Sequence, residues 1–348
     1  MTGMRSQMSL CLTLWLGLSL IPGPASAQLA PTGGHYAGRA SDTGHEPGMV
    51  NASGGYVVSV PLDLPAARGG LPVPLQITSG VRGVGAAGLG WEVPLSYVRR
   101  NMSMAGRRPS SAENTAPQAR QQILLSFQGR VLDMVPKGQT WVARNNAPEL
   151  SLREQGDNWT LYDGEGRTYT FNAPQALSGT GLWLLSSVDG PAGAAMQLAY
   201  DIGTPALPGA SGLSIDLVRI AYNFHPQTGC AKHEIDLTYW PPPSTAPLWL
   251  SIMGDRVLAR MHTLRWVDVM SRADCATSAE RLRRYELAYL PDTDTQQPRL
   301  QTVQMFGRLG TPEENTAVPI ASYGYGAASN SGKLKYQKTQ TIDRKSVV

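Results

Sequence analysis

The residues with the plainest chemical signature sit early in the chain. Gly83-Val84-Gly85-Ala86-Ala87-Gly88 spells G-x-G-x-x-G, the pattern by which a loop between a strand and a helix cradles a pyrophosphate. That chemistry needs a helix N-terminus directly after the last glycine, so that backbone N–H groups meet the phosphates. Here Gly88 is followed by Leu89-Gly90-Trp91-Glu92-Val93-Pro94. A glycine and a proline within the first turns deny a helix, and Trp91, Val93, Leu95 and Tyr97 alternate as in a strand. The acidic residue expected about 20 positions on has no candidate nearby; after Glu92 the next is Glu113. No cofactor is expected. The small residues read as a tight turn before a strand that buries Trp91.

The other candidates are weaker. His225, Cys230 and His233 in "HPQTGCAKH" could begin a metal site, but no fourth ligand follows at a recognised spacing. Asp292 and Asp294 in "PDTDTQ" resemble part of a calcium loop without its glycine and distal glutamate, so a hairpin turn is expected. Eight Trp against four Phe would suit sugar-stacking platforms, although Trp91, Trp141, Trp159, Trp183 and Trp266 fall on alternating strands where core packing is the default. Neither a G-x-S-x-G nucleophile elbow nor an H-E-x-x-H metal helix is present. The sequence therefore assigns no catalytic residue and no metal.

Compartment comes from the N-terminus. Arg5 and the amino terminus precede an apolar run of 12, Leu10 to Ile21; Pro22-Gly23-Pro24 breaks it and Ala25-Ser26-Ala27 supplies a cleavage pattern. The run is too short to span a bilayer and reads as a signal peptide over 1–27, cut before Gln28. No later segment is apolar enough to cross a membrane as a helix. Export leaves Cys230 and Cys275, and two cysteines in an oxidising compartment suggest one disulfide; two unpaired buried thiols are the alternative. The formal charge of +4, with no basic block longer than a pair, argues against nucleic acid as a partner.

These residues need elements to hold them. Gly and Pro make up about 18% of the chain, above the usual level of roughly 12%, and they are dispersed. After a flexible lead-in over 28–50, the period changes to two. Short alternating segments follow one another, among them 71–78, 91–100, 122–135, 158–171, 213–224, 258–270, 283–290 and 300–307. They predict an all-β chain of roughly 15 to 20 antiparallel strands and hairpins, forming a large curved sheet or shell segment. "NWTLYDGEGRTYTF" (158–171) is the sharpest hairpin, with Asp163 and Gly164 opening its turn. Helical spacing shows only weakly, in "SAENTAPQARQQ" and "CATSAERLRR".

The strand around Trp91 also carries a family pattern. Gly55, Pro61-Leu62, Arg68 to Pro72, Gly88-Leu89-Gly90-Trp91 and Tyr97 to Arg100, with Arg99 in the aromatic-x-Arg position, resemble the start of the N-terminal region shared by the SpvB family and the B subunits of insecticidal toxin complexes. "NWTLYDGEGRTYTF", "GLWLLSSVDGPAGAAMQLAY", "RRYELAYLPDTDTQQPRLQTVQMFG" and "VPIASYGYG" are similar to later units, Gly193-Ala194 departing from the usual Gly-Asn. The resemblance implies one β domain over 51–340. It further implies a non-catalytic scaffold of a secreted virulence or toxin-type protein. Such a scaffold, built with RHS/YD-type repeats, forms part of a β shell for a C-terminal effector. The implied partners are the chain's own further repeats and effector, and toxin-complex subunits. An ADP-ribosyltransferase would need an Arg, a Ser-Thr-Ser-type strand and a Glu-x-Glu pair, and no such set stands here.

The tail, 341–348, breaks the pattern. Asp343 to Val348 can be encoded GAT CGG AAG AGC GTC GTG, which resembles read-through of a sequencing adapter; an assembly artefact or a polar tail is expected there. Two rival readings remain: a stand-alone exported binding module, for glycans or proteins, with exposed aromatics in a row on one face; and a β-rich hydrolase, with clustered acids or a His-Asp-nucleophile set in a cleft.

Overall fold

The structure, a computed structural model, describes residues 57–100, 122–144, 147–241, 245–253, 256–326, 329–330 and 333–334. The expected signal peptide (1–27), lead-in (28–50) and tail (341–348), Gly55, and the weakly helical stretch before residue 122 lie outside the described residues. The described residues all belong to one compact unit, within Gly33–Val348.

Alternation becomes strand almost wherever the sequence shows it. β1 (Thr78–Gly85) and β2 (Gly88–Glu92) form a hairpin. Next come β3 (Tyr97–Arg100), β4 (Ile123–Phe127), β5 (Arg130–Lys137), β6 (Thr140–Ala143), β7 (Ser151–Gln155), β8 (Asn158–Tyr162), β9 (Thr168–Asn172) and β10 (Leu182–Asp189), each from β4 on antiparallel to the one before. The first half of β10 then returns to β3, Leu182 opposite Arg99 and Trp183 opposite Val98, and the eight strands close into a barrel. Eight strands leave an interior that side chains just fill. Val98, Ile123, Leu125, Leu152, Trp159, Leu161 and Phe171 fill it at 0% exposure, each stabilising by roughly 1.5–3 kcal/mol relative to an exposed position. Trp141 and Trp183 meet Trp159 edge-on, with centroids 6.3 and 5.8 Å away.

The second half of β10 pairs instead with β11 (Ala195–Gly203), Val188 opposite Met196. This begins a second, open antiparallel sheet. After the short β12 (Ala206–Leu207) come β13 (Ala210–Phe224), β14 (Ala231–Tyr239), β15 (Trp249–Met253), β16 (Arg256–Arg260), β17 (Leu264–Ser271), β18 (Glu280–Pro291), β19 (Pro298–Phe306) and β20 (Val318–Ser322). The sheet runs β11-β13-β14-β17-β18-β19-β20. The β15–β16 hairpin leaves this order, and β16 lies parallel to β13 through Gly212–Val257 and Leu213–Leu258. A last small pair, β21 (Ser329–Asn330) and β22 (Lys333–Leu334), follows. The weakly helical "CATSAERLRR" is instead a turn leading into β18. Cross-strand pairing of Arg281, Arg283 and Arg284 with β17 outweighs so slight a helical preference.

The inner face of the open sheet buries Ile220, Tyr222, Ile235, Val267, Val269, Tyr285, Leu287 and Val303. Residues of the 57–77 segment, among them Leu62, Leu71, Leu75 and Ile77, join the same core. That segment is tied down by polar contacts at the ends of core side chains. The Tyr222 hydroxyl donates to Pro65 O at 2.9 Å, Asp63 N–H donates to the Tyr285 hydroxyl at 2.8 Å, and Arg68 N–H donates to Asn223 Oδ1 at 2.7 Å. The expectation of a large all-β sheet holds, and the closed barrel is an addition to it. Alternation looks the same in a strand of a barrel and a strand of an open sheet, so closure leaves no local mark.

Candidate functional site

The G-x-G-x-x-G glycines occupy β1, the turn and β2, and each permits a close approach. A Cβ on Gly83 would lie 2.4 Å from the Trp249 indole, one on Gly85 would lie 2.2 Å from Trp91 O, and one on Gly88 would lie 2.7 Å from Pro298 O and 3.0 Å from the Tyr289 ring. Gly83 and Gly88 also have φ of +91° and +94°, where side chains are strained. The loop amide that could face a phosphate is already used: Glu92 Oε1 accepts from Ala86 N–H at 3.0 Å and from Val93 N–H at 2.8 Å. A carboxylate stands where the anion would be, followed by a strand in place of a helix.

Gly88, Gly90 and Trp91 therefore act together as a docking edge. Gly88 brings β2 against the β18–β19 hairpin, while Gly90 takes φ +79° with nothing within 4 Å of its missing Cβ. Trp91, 3% exposed, packs 4.5 Å from Tyr323 and donates its indole N–H to the Tyr325 hydroxyl at 2.8 Å. Tyr325 in turn donates to Leu300 O at 2.5 Å. Arg99 sits mid-strand in β3 between Leu182 and Leu124, and it is its neighbour Arg100 that does the bonding. The Arg100 guanidinium lies 5.3 and 5.5 Å from the Trp159 and Trp183 ring centres and pairs with Glu154 at 2.6 Å. Alternation predicts that only one of the two arginines faces the barrel end; the sequence does not say which.

Asp163 and Gly164 make the β8–β9 turn. Asp163, 9% exposed, accepts from Glu165 N–H (2.9 Å), Arg167 N–H (3.3 Å) and the Tyr169 hydroxyl (3.1 Å). Burial, and then the Asp163 charge, push the Tyr169 phenol well above its usual range. Gly164 has φ +77°, which the turn requires. Asp292 does the same work in the β18–β19 hairpin: it receives Asp294 N–H, Thr295 N–H, the Thr295 hydroxyl and Arg299. With those donors in place its carboxylate is a turn staple, not a cation ligand.

Cys230 and Cys275 are bonded, with Cα atoms 5.9 Å apart, and link the β13–β14 and β17–β18 connections. The Cys230 sulfur is thus not a thiolate, and His225 Nδ1 faces the Gln227 and Thr228 amides at 3.4 Å. His233 stacks near Tyr222 at 5.4 Å, and burial, then Lys232 and Arg68, lower its pKa.

Two groupings were not legible in the sequence. Asp216, 3% exposed on β13, receives Arg260 Nη1 at 2.5 Å and lies 2.7 Å from His262 Nδ1, with Glu92 4.0 Å from Arg260. This Asp–His pair resembles half of a hydrolytic triad. Among the described residues no hydroxyl or thiol bonds the other His262 nitrogen, so the cluster ties β16 to β13 and β2. The second is a stack on the outer face of the open sheet, where Arg265 lies 3.8 Å from the ring centre of Trp240 and 3.7 Å from that of Trp266. A cleft of about 490 Å³ beside β9, β10 and β11 is lined by Asn158, Asn172, Ser186, Tyr200 and apolar side chains, with no carboxylate, histidine or cysteine.

No family model and no curated protein sequence matches the chain. Solved structures do. The N-terminal domain of effector protein SpvB from Salmonella typhimurium strain LT2 superposes with a TM-score of 0.53 at 16% identity, over 72% of this chain and 98% of that one. The structure of TcdB2-TccC3-Cdc42 matches with a TM-score of 0.54 at 16% identity over 76% of this chain, and TcdB2-TccC3 with 0.54 at 15%. The chain spans about 15% of the TcdB2-TccC3-Cdc42 chain and 16% of the TcdB2-TccC3 chain that it matches. The resemblance carried by Gly88, Gly90, Trp91 and the later hairpins is thereby borne out as a likeness of fold: this chain has the SpvB N-terminal fold, which TcdB2-TccC3 also contains.

Proposed function

We propose that this chain is the exported, non-catalytic scaffold of a virulence or toxin-type protein. In this reading it forms one part of a β shell, extended by RHS/YD-type repeats, that carries or encloses a C-terminal effector. The observation that carries the reading is the pair of coverages: 98% of a free-standing SpvB N-terminal domain, and 15% of the much longer TcdB2-TccC3-Cdc42 chain. One fold is thus found both as an N-terminal domain and as a part of a much longer chain. The far edge of the open sheet supports it, since β20 pairs only with β19 among the described residues, and an open edge is where further strands add. Partners would be the chain's own repeats and effector and toxin-complex subunits, in an extracellular, periplasmic or cell-surface location.

The test is to read the source DNA through the codon for Ile342 and to blot the source culture with antibody against residues 57–326. Continuation of the reading frame and a band far above 37.4 kDa are expected. A genomic stop after Val348 with a single band near that mass would overturn the scaffold reading. A stand-alone binding module is then the second reading, favoured by the aromatic and cationic row on the outer face of the open sheet.

A further inference from the structure

The outer face of the open sheet carries alternating charges that are nearly all paired. Arg219 meets Asp236 at 2.6 Å, Arg284 grips Asp268 with two bonds of 2.6 and 2.7 Å, and Arg272 reaches Glu234. Arg265 differs. The register of β14 against β17 slips between Thr238 and Tyr239, which face Trp266 and Leu264, so Arg265 is the extra residue of a β-bulge. A bulge re-aims a side chain, and this one turns Arg265 between Trp240 and Trp266. Arg284 covers Trp266 as well, with its guanidinium 4.1 Å from the ring centre. Asp268, and then Glu286, are the charges that act on Arg284, whereas Arg265 has no hydrogen bond or ion pair among the described residues.

Two indoles occupy the faces of the Arg265 guanidinium. What remains to it is the in-plane edge: Nε is buried and unpartnered, and the two Nη groups at the tip form the fork of N–H donors that matches a carboxylate or sulfate. Trp240, 38% exposed, adds a flat apolar platform beside that fork. We propose that Trp240 and Arg265 form a binding subsite for an acidic sugar, a glycan unit bearing a carboxylate or sulfate. Its ring would stack on Trp240 and its oxyanion would take the in-plane N–H groups of Arg265. A membrane surface or a polyanion held by bulk charge would need several free cations here, and Arg219, Arg272 and Arg284 are already paired. The proposal does not depend on the scaffold reading.

The test is calorimetric titration of the full exported chain with a heparin hexasaccharide, an oligogalacturonate and neutral cellohexaose. The first two distinguish sulfate from carboxylate. At least one acidic probe is expected to bind with Kd below about 1 mM, and Arg265→Lys and Trp240→Ala each to weaken it about tenfold or more. Arg308→Gln removes a charge elsewhere on the surface and is expected to leave binding unchanged. Lysine keeps the charge and loses the fork, so wild-type affinity in Arg265→Lys would overturn the site. Equal loss in Arg308→Gln, or binding of neither acidic probe, would overturn it too. Should Arg265→Lys fail to fold, Trp240→Ala decides by the same criteria.

Discussion

The barrel of residues 97–189 and the open sheet of 195–322 are built from the same kind of alternating strand, yet they dispose of their backbone edges differently. The barrel closes on itself when β10 returns to β3, and its interior is a packed stack of aliphatic and aromatic side chains. Polar residues such as Asp163 work at its turns. The open sheet joins the barrel only where β11 meets the second half of β10, and it keeps the β20 edge and one solvent-facing side. It is held by other means: the 57–77 segment over its inner face, the Cys230–Cys275 bond across two of its hairpin ends, and cross-strand ion pairs on its outer face. Closure makes one region self-sufficient, and openness leaves the other with surface to use. The β20 edge, unpaired among the described residues, and the Arg265 stack both belong to the open region.

The largest effect should come from the barrel interior. Trp159→Ala, at a fully buried position between two other indoles, should lower the unfolding free energy by about 3–5 kcal/mol, read from urea denaturation. The double change Cys230→Ser with Cys275→Ser should cost about 2–4 kcal/mol for a loop of this length. Hydrogen exchange would then rise around β13, β14, β17 and β18, with β4–β9 still protected. Equal loss of protection in both regions would show that barrel and sheet unfold as one unit, and the contrast between them would fail.

Smaller changes sharpen the contrast. Asp163→Ala strips a buried acceptor from two amides and a phenol and should cost about 1–3 kcal/mol. A double-mutant cycle on Arg284 and Asp268 should give a coupling of about 1–2 kcal/mol, above that of an exposed pair, because the contact is bidentate and Asp268 is buried. The least effect is a pH dependence. The folded pKa of His233 is depressed, so the unfolded chain binds the proton more readily, and His233 costs stability only as pH falls below about 6.5. Thermal melts of His233→Gln should therefore decline less than wild type on acidification from pH 7, and a parallel decline would remove His233 as the cause.

Much of this architecture was legible in the chain because its signals are local. Period-two alternation marked the strands, and the Asp163-Gly164 turn marked the β8–β9 hairpin. Trp91 after its glycines announced a docking strand in place of a phosphate loop, since Gly90 and Pro94, within the first turns after Gly88, deny a helix. Cys230 and Cys275 suggested their own pairing, and the structure joins them. The sites that escaped were assembled from afar. Asp216 and His262 are 46 residues apart, and neither stands in a motif.

Local pattern was thus enough for the all-β class, the hairpins, and the structural task of the glycines and of Asp163. Each follows from the backbone preferences of a few neighbouring residues. Long-range packing set the rest: β10 divides its edge between β3 and β11, Arg100 and not Arg99 reaches the tryptophans, and a one-residue bulge sets Arg265 between two indoles. Strand partners and register are chosen by packing over the whole sheet, and a slip of one residue sends a side chain to the other face.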